Sequence, residues 1–181
     1  MLAALPIFHA YGLTMNFTMA PAIGGTLQLL PSPEMDLIMD IMKKDCPTWL
    51  PGVPTLYEKI MDTAEEQNVS LNGIRSSFSG ASSLPVATVH RWEKMTSGNI
   101  VEGYGLTETG PILIGNPRSA DRRPGYIGIP FPDTQIRIVN PDNPDEDMPF
   151  GEAGEILAKG PQVFHGYLNN PEATEKVFHD G

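Results

Sequence analysis

Ten consecutive residues, Val101-Glu102-Gly103-Tyr104-Gly105-Leu106-Thr107-Glu108-Thr109-Gly110, hold the chain's densest set of groups able to do chemistry. They leave the carboxyl end of a predicted strand, which is where open α/β sheets bind ligands. The glycines permit a tight backbone that a planar ring can approach. Tyr104 offers an aromatic face for stacking a base. Thr107 offers a hydroxyl, and Glu108 a hard anionic oxygen suited to Mg2+ beside phosphates. A plain structural account fits equally well: a glycine-rich turn in which Thr107 caps a short helix. Residue types and spacing alone do not separate the two.

Other motifs are excluded more firmly. The chain has no G-x-x-x-x-G-K-[ST], so it holds no Walker-type phosphate loop. Gly103-Tyr104-Gly105 lacks the third glycine of a dinucleotide fingerprint. Gly80-Ala81-Ser82-Ser83-Leu84 approaches the G-x-S-x-G nucleophile elbow but has Leu where the last glycine must let strand and helix close up, which argues against a serine hydrolase.

The elements that must position these residues follow from periodicity. Leu27 to Leu30 reads as a strand ending at Pro31, and Asp36 to Lys44 as a helix with its apolar stripe at 37, 38, 41 and 42. Thr48 to Leu50 is a predicted strand. Pro54 opens a helix to about Glu66 that turns Leu56, Tyr57, Ile60 and Met61 inward. A strand over Ile74 to Ser79, a helix over Pro85 to Met95 and a strand over Asn99 to Val101 complete the alternation. The expected fold class is therefore α/β, a parallel sheet flanked by helices. Beyond residue 123 the pattern changes to short strands at 127–129, 135–139, 155–158 and 163–164, divided by Pro, Gly and Asp turns. Ten prolines stand between Pro111 and Pro171. Residues 1–123 are thus expected to form an α/β lobe, and residues 124–181 part of a small β-rich, barrel-like lobe. Pro141 to Glu155, with six acids and no base, is expected to be a solvated surface loop.

Composition narrows the partners. In 181 residues, 12 basic and 22 acidic side chains leave a net charge of −10, which argues against nucleic acid or an anionic membrane surface as the main partner. The lone Cys46 excludes disulfides and Cys-ligated clusters within the chain and points to a reducing, cytoplasmic compartment. Met1 to Pro33 carries no charged side chain, but Pro6, His9, Gly12, Asn16, Pro21, Gly24 and Gly25 interrupt it. A buried strand and a packed helix are expected there, not a signal peptide or a span. Trp49, Trp92 and the Met-rich helices at 35–42 and 56–61 are expected in the core.

YGLTETGP resembles the signature of the adenylate-forming enzymes, the superfamily of acyl-CoA synthetases, luciferases and peptide-synthetase adenylation domains. Three more segments resemble that family's motifs and stand in its order. They are Leu5 to Leu13 (P-x-F-H), Ser79-Gly80-Ala81 to Leu84-Pro85 (S-G-G/A-x-x-L), and Gly154-Glu155-Ile156 to Gly160-Pro161-Gln162-Val163 and Gly166-Tyr167. Pro171 to Thr174, Phe178 and Asp180-Gly181 continue the match. EGYGLTET with GPQV-x-x-GY is most similar to bacterial long-chain fatty acid–CoA ligases.

The resemblance implies ATP, a fatty acid and CoA as substrates and Mg2+ as cofactor. It assigns Mg2+ to Glu108 and the ATP phosphates to Thr107, the two residues it marks as catalytic. Tyr104 is implied to stack on adenine, with Gly80, Ala81, Glu102 and Gly103 around it. His9 is implied to line or gate the acyl channel with Tyr11 and Gly12 nearby; a hydrogen-bonded core histidine is the plainer alternative. The family's phosphate loop, the Asp of its T-G-D segment and its C-terminal lysine have no counterpart here, so the chain is expected to be an excerpt, inactive alone, whose incomplete sheet edges favour self-association. The resemblance leaves open whether the full enzyme touches a membrane to collect its substrate. Two alternatives stand beside the fatty-acid reading: an adenylate-forming enzyme for aryl or amino acids, and a noncatalytic nucleotide or fatty-acid binding module.

Overall fold

The computed structural model describes residues 1–119 and 121–179. Three parallel strands, β3 (Trp49–Gly52), β4 (Ser76–Ser79) and β5 (Asn99–Tyr104), lie side by side in that order, after the short parallel pair β1 (Leu2–Ala3) and β2 (Gln28–Leu29). Helices α4 (Pro54–Glu66) and α5 (Val86–Thr96) make the crossovers between them, and α3 (Met35–Lys44) packs beside α4. Pro54 at the first helical position presets φ and loses no intrahelical hydrogen bond. Asp36 in the first turn of α3 and Lys43 and Lys44 in its last complement the helix dipole.

The predicted inward faces close one core. Ile38, Met39, Leu50, Ile60, Met61 and Ile100 are buried around Tyr57 and Trp92, whose rings meet edge to face at 4.7 Å. The buried indole N–H of Trp92 donates to Ser77 Oγ at 3.1 Å, so its polar group is satisfied. Residues 10–22 form one helical run, α1 (Ala10–Gly12), a π-helical segment (Leu13–Thr18) and α2 (Met19–Ala22). Only one side of that run is buried: Tyr11 and Met15 face the core, while Leu13 and Phe17 do not. Among the described residues no helix is long and apolar enough to cross a membrane.

The sheet is parallel only as far as β5. The chain then reverses, and β6 (Ile114–Gly115) and β7 (Ile129–Pro130) join antiparallel; β7 shares only Ile129 with the strand expected at 127–129 and extends this first sheet. A second, three-stranded antiparallel sheet has the order β10-β8-β9, from β8 (Gln135–Asn140), β9 (Asn143–Asp147) and β10 (Glu155–Lys159).

Three expectations need correction. The acidic stretch after Pro141 is not wholly loop: β9 pairs with β8 while its acids stay in solvent, Asp147 against Arg137 Nε at 2.8 Å. Val163-Phe164 is not a strand. The Val163 N–H closes a turn on the Gly160 carbonyl and the Phe164 N–H donates to the Glu108 carbonyl, leaving no ladder for them to join. A helix not anticipated, α6 (Pro171–Val177), starts where Asn170 Oδ1 accepts the Ala173 N–H and Pro171 opens the first turn. Asp180-Gly181, part of the family match, lies outside the described residues.

Candidate active site

The 102–110 segment turns back on itself as soon as β5 ends. The Leu113 N–H donates to the Tyr104 carbonyl at 2.9 Å. A Cβ on Gly105 would fall 1.9 Å from the Pro111 carbonyl oxygen, so only glycine fits this reversal. Thr107–Thr109 forms a single 3-10 turn. Its closure belongs to Thr109, which is buried and whose Oγ1 accepts the Leu106 N–H at 2.8 Å. Thr107, offered by the sequence as the cap, instead stands exposed on the turn while Thr109 makes the closing bond.

Glu108 is gripped from the other sheet's side of the molecule. Its carbonyl accepts the Phe164 N–H at 2.9 Å, and its Oε1 accepts the Tyr167 hydroxyl at 2.7 Å. That second bond holds the Glu108 carboxyl below its ordinary range and raises the Tyr167 phenol. Gln162 completes the strap: its Nε2 donates to Thr134 Oγ1 at 2.8 Å, and its carbonyl would lie 3.1 Å from a Cβ on Gly110. Among the described residues no three His, Cys, Asp or Glu side chains gather to hold a metal ion. One half-exposed carboxylate beside an exposed hydroxyl fits Mg2+ nonetheless, since that ion keeps several waters and needs only one or two carboxylates besides phosphate oxygens.

Glu102 has the opposite environment. It is 6 % exposed, and its Oε1 accepts the Leu84 N–H at 2.9 Å. Burial raises its carboxyl pKa, an effect this hydrogen bond partly offsets. Glu102 thereby fastens the 80–84 turn to β5. Ser79 and Glu102 are partners in the β4–β5 register, so Gly80 and Ala81 emerge beside Gly103 and Tyr104. Ala81 has φ +67°, a left-handed conformation that an L side chain takes only in a constrained turn. A Cβ on Gly103 would fall 2.2 Å from the Phe78 ring.

The segment at 9–12 reaches the same sheet ends by another route. The phenol of Tyr11 is buried, donates to the Phe78 carbonyl at 2.6 Å and lies 3.1 Å from that of Gly52, the last residue of β3. Burial holds its pKa far above that of a free phenol. Gly12 passes so close to Pro6 that a Cβ would lie 2.2 Å from its carbonyl oxygen. His9 is not a core histidine: it is exposed, and its Nδ1 accepts the Tyr11 N–H at 3.1 Å as the cap of α1. The structure therefore gathers Gly80, Ala81, Glu102, Gly103 and Tyr104 at neighbouring strand ends, with Thr107 and Glu108 on the turn that follows. It ties Tyr11 to the same ends and leaves His9 at the surface. Tyr167 and Gln162 were visible in the sequence only as members of a motif, with nothing to join them to Glu108.

Comparison with known proteins identifies the family. Residues 1–168 match the family described as AMP-binding enzyme. The long-chain-fatty-acid–CoA ligase of Bacillus subtilis strain 168 is 39 % identical over 180 residues, covering 99 % of this chain and 32 % of that protein. The ligase of the same description from Salmonella typhimurium strain LT2 is 36 % identical over 180 residues, covering 98 % of this chain and 32 % of its own length. The chain thus spans about a third of the curated relatives it matches. The crystal structure of ATP-bound MatB from Rhodopseudomonas palustris superposes with a TM-score of 0.85 at 33 % identity, covering 99 % of this chain and 35 % of that one. A family match over residues 1–168, with relatives 39 % and 33 % identical along nearly the whole chain, makes this chain a member of the AMP-binding, adenylate-forming enzyme family.

Proposed function

We propose that this chain is the adenine- and acyl-binding part of an ATP-dependent long-chain fatty acid–CoA ligase. The observation that carries the reading is the meeting of the Gly80-Ala81 turn, the Gly103-Tyr104 backbone and the Thr107-Glu108 turn at the carboxyl ends of two adjacent parallel strands. The whole ligase forms a bond between a fatty carboxylate oxygen and the α-phosphorus of ATP as the bond to pyrophosphate breaks. The CoA thiol then attacks the acyl carbon, and AMP departs.

The residues divide this work. Tyr104 stacks on the adenine, bounded by the backbone of Gly80, Ala81 and Gly103. Glu102 acts on the nucleotide indirectly, by keeping the 80–84 turn against β5. The Thr107 hydroxyl donates to phosphate, and Glu108 is the residue that holds Mg2+. When bound, Mg2+ offsets the negative charge of the phosphates as it redistributes. Tyr11 anchors the 9–12 segment to the strand ends, so that His9 and Gly12 border the acyl channel. A phosphate loop and a C-terminal lysine come from the rest of the longer protein.

ATP–pyrophosphate exchange in the full-length protein tests the reading. Palmitate is expected to support exchange well above benzoate or any amino acid, and the isolated 181-residue chain is expected to support none. Exchange driven by an aryl or amino acid instead of palmitate would replace the substrate class. Binding of ATP without exchange for any acid would favour a noncatalytic module.

A further inference from the structure

Glu108 is held at two points by residues three apart in the chain. Phe164 takes its carbonyl and Tyr167 its carboxylate, although 59 residues separate Tyr167 from Glu108. Tyr167 is itself well fixed. Its N–H donates to Thr174 Oγ1 at 2.9 Å, which ties it to α6. Gly166, at φ +139°, lets the backbone pass α6 where a Cβ would lie 2.7 Å from Thr174 Cγ2. The Tyr167 ring packs edge-on against Phe164 at 4.9 Å, and Phe164 stacks on Phe178 at 5.6 Å. The phenol therefore arrives at Glu108 from a packed platform, although Tyr167 is 37 % exposed.

We propose that Tyr167 is a positioning residue for Glu108: its hydroxyl fixes the carboxylate in the orientation that receives the divalent cation. The proposal rests on the reading of Glu108 as the residue that holds Mg2+. A carboxylate has about four lone-pair sites on its two oxygens, so one hydrogen bond leaves the others open. An unheld glutamate must give up rotamer freedom when it takes a cation, whereas one already held has given up that freedom on folding. Groups that orient a metal-holding side chain commonly change metal affinity by about 10–100-fold when removed. The device also joins the two sheets functionally, because a residue following β10 sets the side chain of a residue following β5.

Mn2+, which reports its own binding by electron paramagnetic resonance, is the probe for the full-length protein with ATP bound. Tyr167→Phe removes one oxygen and keeps the ring on its platform. It is expected to weaken Mn2+ binding about 10-fold with the thermal melt little changed. In a Glu108→Gln background the same substitution is expected to add almost nothing, because the carboxylate it positions is gone. Phe164→Leu, which loosens the platform but keeps the phenol, should lower the melt more than the Mn2+ affinity. Unchanged Mn2+ affinity in Tyr167→Phe, with affinity lost in Glu108→Gln, would overturn the positioning role alone. Unchanged affinity in Glu108→Gln would overturn the metal reading and this inference with it.

Discussion

Two glutamates at either end of one short segment face opposite ways energetically. Glu102, near the end of β5, is buried and has its carboxyl pushed up, with the Leu84 N–H as its partner. Glu108, six positions on, is half exposed and has its carboxyl pushed down by the Tyr167 hydroxyl. The first fastens the 80–84 turn to β5; the second keeps an anion near the surface, held by a phenol from the far side of the chain. Residue type alone would give both the same role. Burial and partner separate scaffold from chemistry.

The comparison breaks most visibly under two substitutions. On the proposed ligase reading, Glu108→Gln in the full-length protein should slow acyl-adenylate formation by about 10²–10³, or about 2.7–4 kcal/mol, through lost charge stabilisation, with the melt nearly unchanged. Glu102→Ala should do the reverse. It strands the buried Leu84 N–H and should cost about 1–3 kcal/mol of stability, with turnover per folded molecule changed far less. Steady-state kinetics normalised to folded protein, with a denaturant titration of each variant, separates them. Equal losses of stability and unchanged kinetics in both would reduce the segment to a capped turn.

A smaller effect sharpens the contrast through pH. The folded pKa of Glu102 is raised, so what the fold gains from its neutral form is complete below the unfolded carboxyl range and lost as pH rises through the folded value. The folded pKa of Glu108 is lowered, so its contribution is present above the unfolded range and lost as pH falls through the folded value. The melting difference between Glu102→Gln and wild type should therefore grow more favourable to the variant from about pH 4 to pH 7. That for Glu108→Gln should move the other way, and its change should fall at and below the ordinary carboxyl range, as pH drops through about 4. Melting series that extend from neutral pH to below that range check the two signs and windows, and slopes of the same sign would contradict the assignment.

Local signals in the sequence accounted for the parallel strands and the tight turn, because their causes are local. Pro54 announces α4, the 3.6-residue stripe of Asp36 to Lys44 announces α3, and the glycines at 103 and 105 announce a close approach. Non-local causes stayed hidden. Phe164 looks like a strand residue by type, yet its N–H is spent on a carbonyl 56 positions earlier. The acids of β9 have poor strand propensity and are held by pairing with β8 and by Arg137. Tyr11 read as a pocket residue because it follows His9, although its phenol binds the ends of β3 and β4 together. Thr107 reads as the cap by type, yet Thr109, two positions on, is the one whose Oγ1 accepts the Leu106 N–H. The start of α6 was legible in Asn170-Pro171, but it spans too few turns to show an apolar stripe.

The central claim is that ATP lies where β4 and β5 end. Photolabelling the full-length protein with an azido-adenine analogue of ATP, followed by peptide mapping, tests it directly. Label is expected within residues 80–84 and 102–110, Tyr104 foremost, and is expected to vanish when excess ATP is present. Label confined to other peptides, or label that excess ATP leaves unchanged, would contradict the account.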